Sequence, residues 1–349
     1  MERQKFFFLI SGEYETIPMA ELKSVLNILD PGHKLVETSP TKRILVINTY
    51  ARSAKAAVER AAYTKLCCRL ITVTETSKEI VLNSVTREDI AEIFPEGVGK
   101  FAVRGKRIGG AGIDKTSIER ELGAKILNLS PGLRVDLENP DSLIFFISEP
   151  ELTYIGVLAH SKPKNFFNDR TAGRRPFSLP SAMQPDFSRA MVNLAEVRLG
   201  GSILDPFSGT GGIMIEAGLL GYDAYGVELK EWIAKGALRN LRRYLPGREF
   251  MIVGDARNPV FRNNVFDAIV TDPPYGRSTT IPSQSIRSLL SKFFEESIQL
   301  LKDRGRVVMA SPVEVGLEEM TMNHGLKLLG THLARVHGSL VRKVVVMKK

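Results

Sequence analysis

Cysteine is nearly absent from this 349-residue chain: there are two, Cys67 and Cys68, and they are neighbours. Adjacent thiols draw neither a disulfide framework nor a CxxC zinc site, so packing within one segment is their expected role. The five histidines, His33, His160, His324, His332 and His337, show no HExxH spacing and no partner cysteines, and no bound metal is expected. Long apolar runs are missing too. FFFLI near the start is far shorter than the roughly 18 residues a spanning helix needs, and Glu13 and Glu15 follow too soon for the apolar core of a signal peptide. The expectation is an intracellular, cytoplasmic protein. Aromatic residues make up only 7%, beside 43% hydrophobic and 25% charged side chains, a balance that excludes disordered and fibrous chains. No repeat of fixed period is visible, which sets solenoids aside. Acidic residues are the minority charge: 39 Asp and Glu face 48 Lys and Arg, and the formal charge of +9 favours an acidic partner such as nucleic acid.

At this length two or three domains are expected. Residues 6–10 and 43–48 read as strands and 19–29 and 51–66 as helices, a β-α-β-α order that suits a small α+β unit over 1–65. In a second unit, 66–155, residues 79–82 and 101–104 look like strands and 116–126 like a helix. Strands at 134–137 and 143–147 look paired around the turn 138–141. Residues 156–178 then shift to Lys, Arg, Pro, Asn and Ser, as a linker would. Its basic side chains, Arg174 and Arg175 among them, are candidates for phosphate contact. The remainder, 179–349, is the most regular part. Apolar runs at 202–204, 224–227, 250–253, 268–270, 306–309 and 341–347 alternate with helical stretches, which means an α/β domain with a mostly parallel sheet wound by helices on both faces.

The segment SILDPFSGTGGIMIEAG puts a strand, a sharp turn and a helix in succession. In a wound sheet that turn lies at the carboxyl end of a strand, beside the crevice where ligands bind. Gly209 and Gly211 let a ligand approach the backbone, and the helix that follows offers free amides. Asp205, ending the strand, suits a ligand with an ammonium and a sulfonium better than one with a diphosphate, since like charges repel. A Walker A loop would need Gly-Lys followed by Ser or Thr, and a dinucleotide fingerprint would need glycine where Met214 stands. The next strand ends in Glu228, which can accept from both ribose hydroxyls. The third ends in Asp255, an acceptor for an exocyclic adenine amine, followed by Ala256, whose amide can serve a ring nitrogen. Any one of these acids could be a helix cap. At successive strand ends, they read better as one elongated adenosine site.

The fourth strand, FDAIVTDPPYG, carries the chemistry. Pro273 and Pro274 stiffen the chain and leave carbonyls without neighbouring donors at the sheet edge. Asp272 adds an anionic acceptor, so a planar NH2 group can give one hydrogen to the carboxylate and another to a backbone carbonyl, that of Pro273. Such bonds draw the nitrogen lone pair out of conjugation and aim it at a donor methyl. Tyr275 supplies a flat face for base stacking, worth roughly 1–3 kcal/mol. Orientation then carries most of the rate, and no strong base is needed.

From Asp205 to Gly276 the sequence resembles the S-adenosylmethionine-dependent methyltransferases of exocyclic amines, a group acting on DNA adenine and cytosine as well as RNA guanine. The runs FAVRGKRIGG and RVDLENPDSLIFFI resemble parts of a THUMP domain. With RTAGRRPFSLPSAMQPDFSRAMVNLA and DPFSGTGGIMIEAG, the whole chain resembles the archaeal tRNA guanosine-10 N2-methyltransferase family. The resemblance implies a Rossmann-like methyltransferase domain with a seven-stranded sheet, preceded by a ferredoxin-like unit and a THUMP domain. It implies N2-methyl- and N2,N2-dimethylguanosine at tRNA position 10 as products. Asp272 would hold the guanine amine and Tyr275 would face the base. Asp205, Gly209, Gly211, Glu228, Asp255 and Ala256 would frame S-adenosylmethionine, and Arg104, Lys106 and Arg107 would grip tRNA. Related eukaryotic enzymes use a small zinc-binding activator protein, which makes such a partner a possibility to test. Methylation of another RNA or of DNA, and a non-catalytic RNA binder with a vestigial site, are the competing readings.

Overall fold

The computed structural model describes residues 2–274, 283–337 and 340–349. In chain order the elements are β1 (Gln4–Ile10), α1 (Ile17–Leu29), β2 (Lys34–Thr38), β3 (Ile44–Thr49), α2 (Ala51–Arg60), β4 (Thr64–Glu75), α3 (Lys78–Asn83), α4 (Arg87–Ile93), β5 (Gly99–Arg107), α5 (Lys115–Leu129), β6 (Leu133–Val135), β7 (Ser142–Ser148) and β8 (Leu152–Ser161). There follow α6 (Pro185–Leu194), β9 (Ser202–Asp205), α7 (Gly212–Leu219), β10 (Asp223–Glu228), α8 (Glu231–Tyr244), β11 (Phe250–Val253), β12 (Phe266–Thr271), α9 (Ser283–Ser297), β13 (Leu301–Pro312), α10 (Leu317–Asn323), β14 (Lys327–His337) and β15 (Leu340–Lys348). The chain divides into two compact units. One comprises 1–11, 29–59 and 64–162; the other comprises 12–28, 60–63 and 163–349. Among the described residues no helix is long and apolar enough to cross a membrane.

The first unit is built on one eight-stranded sheet, ordered β2-β3-β1-β4-β8-β7-β5-β6. The edges expected at 65/66 and 155/156 fall inside β4 and β8, which pair antiparallel along their length. Helix α2 ends at Arg60 rather than near residue 66, because the alternating TKLCCRLITVTE runs on as a twelve-residue strand. Its register shifts between Cys67 and Cys68, so two consecutive thiols are both buried. Burial pushes the Cys67 thiol up to about 12, which leaves it inert. Residues 79–82 are helical rather than extended: Ser77 starts α3, Glu79 lies in its first turn and only Val81 is buried. The expected hairpin of 134–137 with 143–147 does not form. Both strands lie parallel to β5, one on each side. Asp136 accepts from the amides of Glu138 and Asn139, and the Asp141 amide donates to the Lys100 carbonyl, so the turn carries the chain across β5.

The second unit holds a seven-stranded sheet ordered β11-β10-β9-β12-β13-β15-β14. The run from β11 to β13 is parallel, as the alternation of strand and helix predicts, and β15 enters antiparallel between β13 and β14. Strand β14, read as no strand from the sequence, closes the edge. Residues 163–178 are part of this unit rather than a free linker: two 3-10 turns, Asn168–Arg170 and Ala172–Arg174, pack there. Arg170 and Arg189 of α6 both bond the fully buried Glu216 of α7, at 2.6 and 2.7 Å. Helix α1 joins this unit as well, although its sequence lies between two strands of the other sheet. The buried carboxylate of Glu21 accepts from the amides of Ala62 and Tyr63 and from Asn193 Nδ2.

Candidate active site

The carboxyl ends of β11, β10, β9 and β12 border a cavity of about 880 Å³. Into it open the glycine loop, Glu228, Asp255, Ala256 and the segment Asp272, Pro273 and Pro274. Residues that the sequence places at four separate strand ends therefore share one wall, because parallel strands joined by crossover helices line up their ends.

Gly209 and Gly211 adopt φ of +49° and +80°, a region that side chains with a Cβ rarely enter. Gly211 is the N-cap of α7. A Cβ on Gly212 would stand 2.9 Å from Arg175 Nη1, so a larger residue at the start of the helix would push the Arg175 guanidinium aside. The loop is tied to β10: Gly209 N donates to Glu228 Oε2 at 3.1 Å, and Glu228 Oε1 accepts from Lys230 N at 2.9 Å.

Asp205 is buried and accepts from the Thr271 hydroxyl at 2.7 Å and the Phe207 amide at 3.3 Å. Burial pushes its carboxyl up to about 7, and the nearby charges of Asp272 and Glu228 add to the rise. Such a group gains when a cation arrives. Asp255 forks with Arg257 at 2.6 Å, and that bond holds its carboxyl below the usual range. Asp272 follows β12 and lies with Oδ2 3.5 Å from Arg342 Nη1. Pro273 is buried and Pro274 exposed. Tyr275, expected to stack on the base, lies outside the described residues.

Several lining residues carried no local signal. Leu179 to Met183, just after the basic stretch, form one wall, and Lys292 and Arg342 reach the cavity from α9 and β15. Trp232, the sole tryptophan of the chain, stands at the rim with its ring edge-on to Phe177 at 6.0 Å. A loose Pro-Ser segment and a lone Arg on a strand are commonplace, so only proximity marks them.

The cationic candidates divide. On β5, Arg104 and Lys106 share a face by the period of two and are half-buried, while Arg107 is exposed. Arg174 is exposed as well, but Arg175 is a correction to the sequence reading. Its buried guanidinium donates to the carbonyls of Arg170 and Met183, so it braces the chain beneath the glycine loop and offers no surface to RNA. Among the described residues no group of three or more His, Cys, Asp or Glu side chains is placed to hold a metal ion.

Comparison with known proteins extends this geometry. The family described as RMKL-like, methyltransferase domain matches residues 172–344, and the THUMP domain matches 81–157. A tRNA (guanine(10)-N2)-dimethyltransferase of Pyrococcus abyssi is 39% identical over 72% of this chain and 74% of its own length. One of Methanothermobacter thermautotrophicus is 32% identical over 98% of both. The chain belongs to the tRNA (guanine(10)-N2)-dimethyltransferase family. As a member it is an S-adenosylmethionine-dependent methyltransferase, and its second unit carries the family's catalytic fold. The crystal structure of TrmN from Thermus thermophilus shares that fold at a TM-score of 0.56 and 22% identity, over 99% of this chain and 100% of the other.

Proposed function

We propose that this protein methylates the exocyclic N2 of guanosine 10 in tRNA, giving N2-methyl- and N2,N2-dimethylguanosine. The observation that carries the reading is the opening of Asp272, Pro273 and Pro274 into the same cavity as the glycine loop and Glu228. The lining suits S-adenosylmethionine: buried Asp205 would face its cationic end, Glu228 would accept from the ribose hydroxyls, and Asp255 with Ala256 would receive the adenine. When bound, that group supplies a methyl on a positively charged sulfonium. The chain's own residues do the rest. Asp272 and the Pro273 carbonyl take the two amine hydrogens of guanine, which localises the nitrogen lone pair and aims it across the cavity. The two prolines keep competing amide donors, and the water they would hold, away from that edge.

A guanine held within a tRNA helix must leave its stack to reach Asp272. Recognition then rests on RNA shape and phosphates rather than on the deep major groove. Arg104, Lys106, Arg107 and Arg174 are the proposed contacts, and the cytoplasm is the proposed place of work.

Replacing Asp272 by Ala is expected to lower transfer of labelled methyl to total tRNA by about 10²- to 10³-fold while cofactor binding persists. Full activity in that variant would end the assignment of Asp272. Nucleoside analysis of tRNA, rRNA and duplex DNA offered to the wild-type chain decides the substrate, with modified guanosine 10 as the expected product. Running the assay with the purified chain alone also decides whether a small zinc-binding activator is required.

A further inference from the structure

Strand β15 runs against its neighbours, so its beginning lies where the parallel strands end. Arg342 sits there, opposite Pro312 of β13 and Ala334 of β14. Its side chain is 13% exposed, lines the cavity and points Nη1 at Asp272 Oδ2, 3.5 Å away. Four carboxylates open into this space from consecutive sheet positions: Glu228 and Asp205 in the middle, with Asp255 and Asp272 on either side. The first two rest on neutral donors, namely the amides of Gly209 and Lys230 for Glu228, and Thr271 with the Phe207 amide for Asp205. Asp255 has Arg257, and Lys292 of α9 acts on Asp255 as well. At Asp272, Arg342 supplies a positive charge.

Asp272 stands close enough to Asp205 for their charges to interact; a carboxylate beside another takes up a proton more readily, and a protonated one offers a donor where an acceptor is needed. We propose that Arg342 is a positioning residue for methyl transfer, holding Asp272 ionised and in one orientation so that its oxygens accept from the amine of the target base. This rests on the role proposed for Asp272. The guanidinium suits the task because it stays charged throughout the working pH range and presents a planar fork.

The test measures kcat for the full chain at saturating tRNA and S-adenosylmethionine across pH, where the acid limb reports protonation of a group that must be ionised in the bound complex. Arg342→Gln is expected to lower kcat about 30-fold and to raise the acid limb by about one unit, because Asp272 keeps its acidic neighbour Asp205 and loses the charge of Arg342. Arg342→Lys, which keeps the charge without the fork, is expected to fall between, with kcat about threefold down and the limb moved by less than about half a unit. KM for either substrate and the melting temperature stay close to wild type. An unmoved limb with wild-type kcat overturns the proposal. So does a raised KM for tRNA at constant kcat, which would put Arg342 on an RNA phosphate, and so does a lowered melting temperature with the limb in place. If Arg342→Gln does not fold, wild-type values for Arg342→Lys overturn it. Asp272→Ala in the same assay separates the two ideas: full activity there removes the role of Asp272, whereas an inactive Asp272→Ala beside a wild-type-like Arg342→Gln removes only that of Arg342.

Discussion

Asp205 shows how one residue couples the site to pH. Its carboxyl lies near 7 in the folded chain because burial strips it of water, whereas in the unfolded chain it returns to the ordinary value near 4. Between those values the folded state holds a proton that the unfolded state has released, so this group costs stability increasingly as pH rises from about 4 to 7. A cationic ligand prefers the ionised form. S-adenosylmethionine is therefore expected to bind more tightly as pH rises through about 7, with release of close to one proton near pH 6. Trp232 fluorescence, read at the cavity rim, measures the affinity; a dissociation constant flat from about pH 5.5 to 8.5 would sink the idea. Asp205→Asn keeps the Thr271 bond and is expected to melt higher than wild type at pH 8 while binding cofactor at least tenfold more weakly, a trade of stability against function. This acid was legible in the sequence because it ends a strand just before a glycine turn. Arg342 was not, since nothing around it in HGSLVRKVVV differs from an ordinary strand.

At the scale of elements, the helix after the glycine loop is anchored by charge. Glu216 of α7 is buried between Arg170 and Arg189, which also leans on the ring of Phe167. Removing the carboxylate leaves two buried cations facing each other, so Glu216→Ala is expected to cost about 3–5 kcal/mol in denaturant unfolding. A loss under about 1 kcal/mol would show that water reaches and screens the pair. Regular elements of the second unit were readable because each parallel strand is a short apolar run between amphipathic helices. Failures came where local pattern is ambiguous. The four residues of 79–82 suit strand or helix equally, and a sharp turn at 138–141 looks like a hairpin until β5 is found between its arms. The basic stretch 156–178 reads as a candidate for phosphate contact, yet Arg170 and Arg175 within it are buried, because carbonyls and the Glu216 carboxylate accept from them.

For the whole molecule the surplus of +9 is the relevant quantity, since tRNA binding releases counterions in proportion to the phosphates neutralised. Replacing Arg104 and Lys106 of β5 by Glu is expected to weaken tRNA binding and to lower the slope of log K against log salt by about one for every phosphate left without its cation. Filter binding at several salt concentrations checks this, with cofactor affinity as the control. An unchanged tRNA affinity would remove these side chains from the interface. By itself the sequence determined the class of fold and located the glycine loop and the Asp-Pro-Pro turn at strand ends, because each is written in contiguous residues whose backbone demands are local. Only the tertiary structure decided that α1 packs in the second unit, that Arg175 faces inward, and that Arg342 meets Asp272. Those pairings join segments distant in sequence, and they are set by which buried charge finds a partner once the sheets have closed.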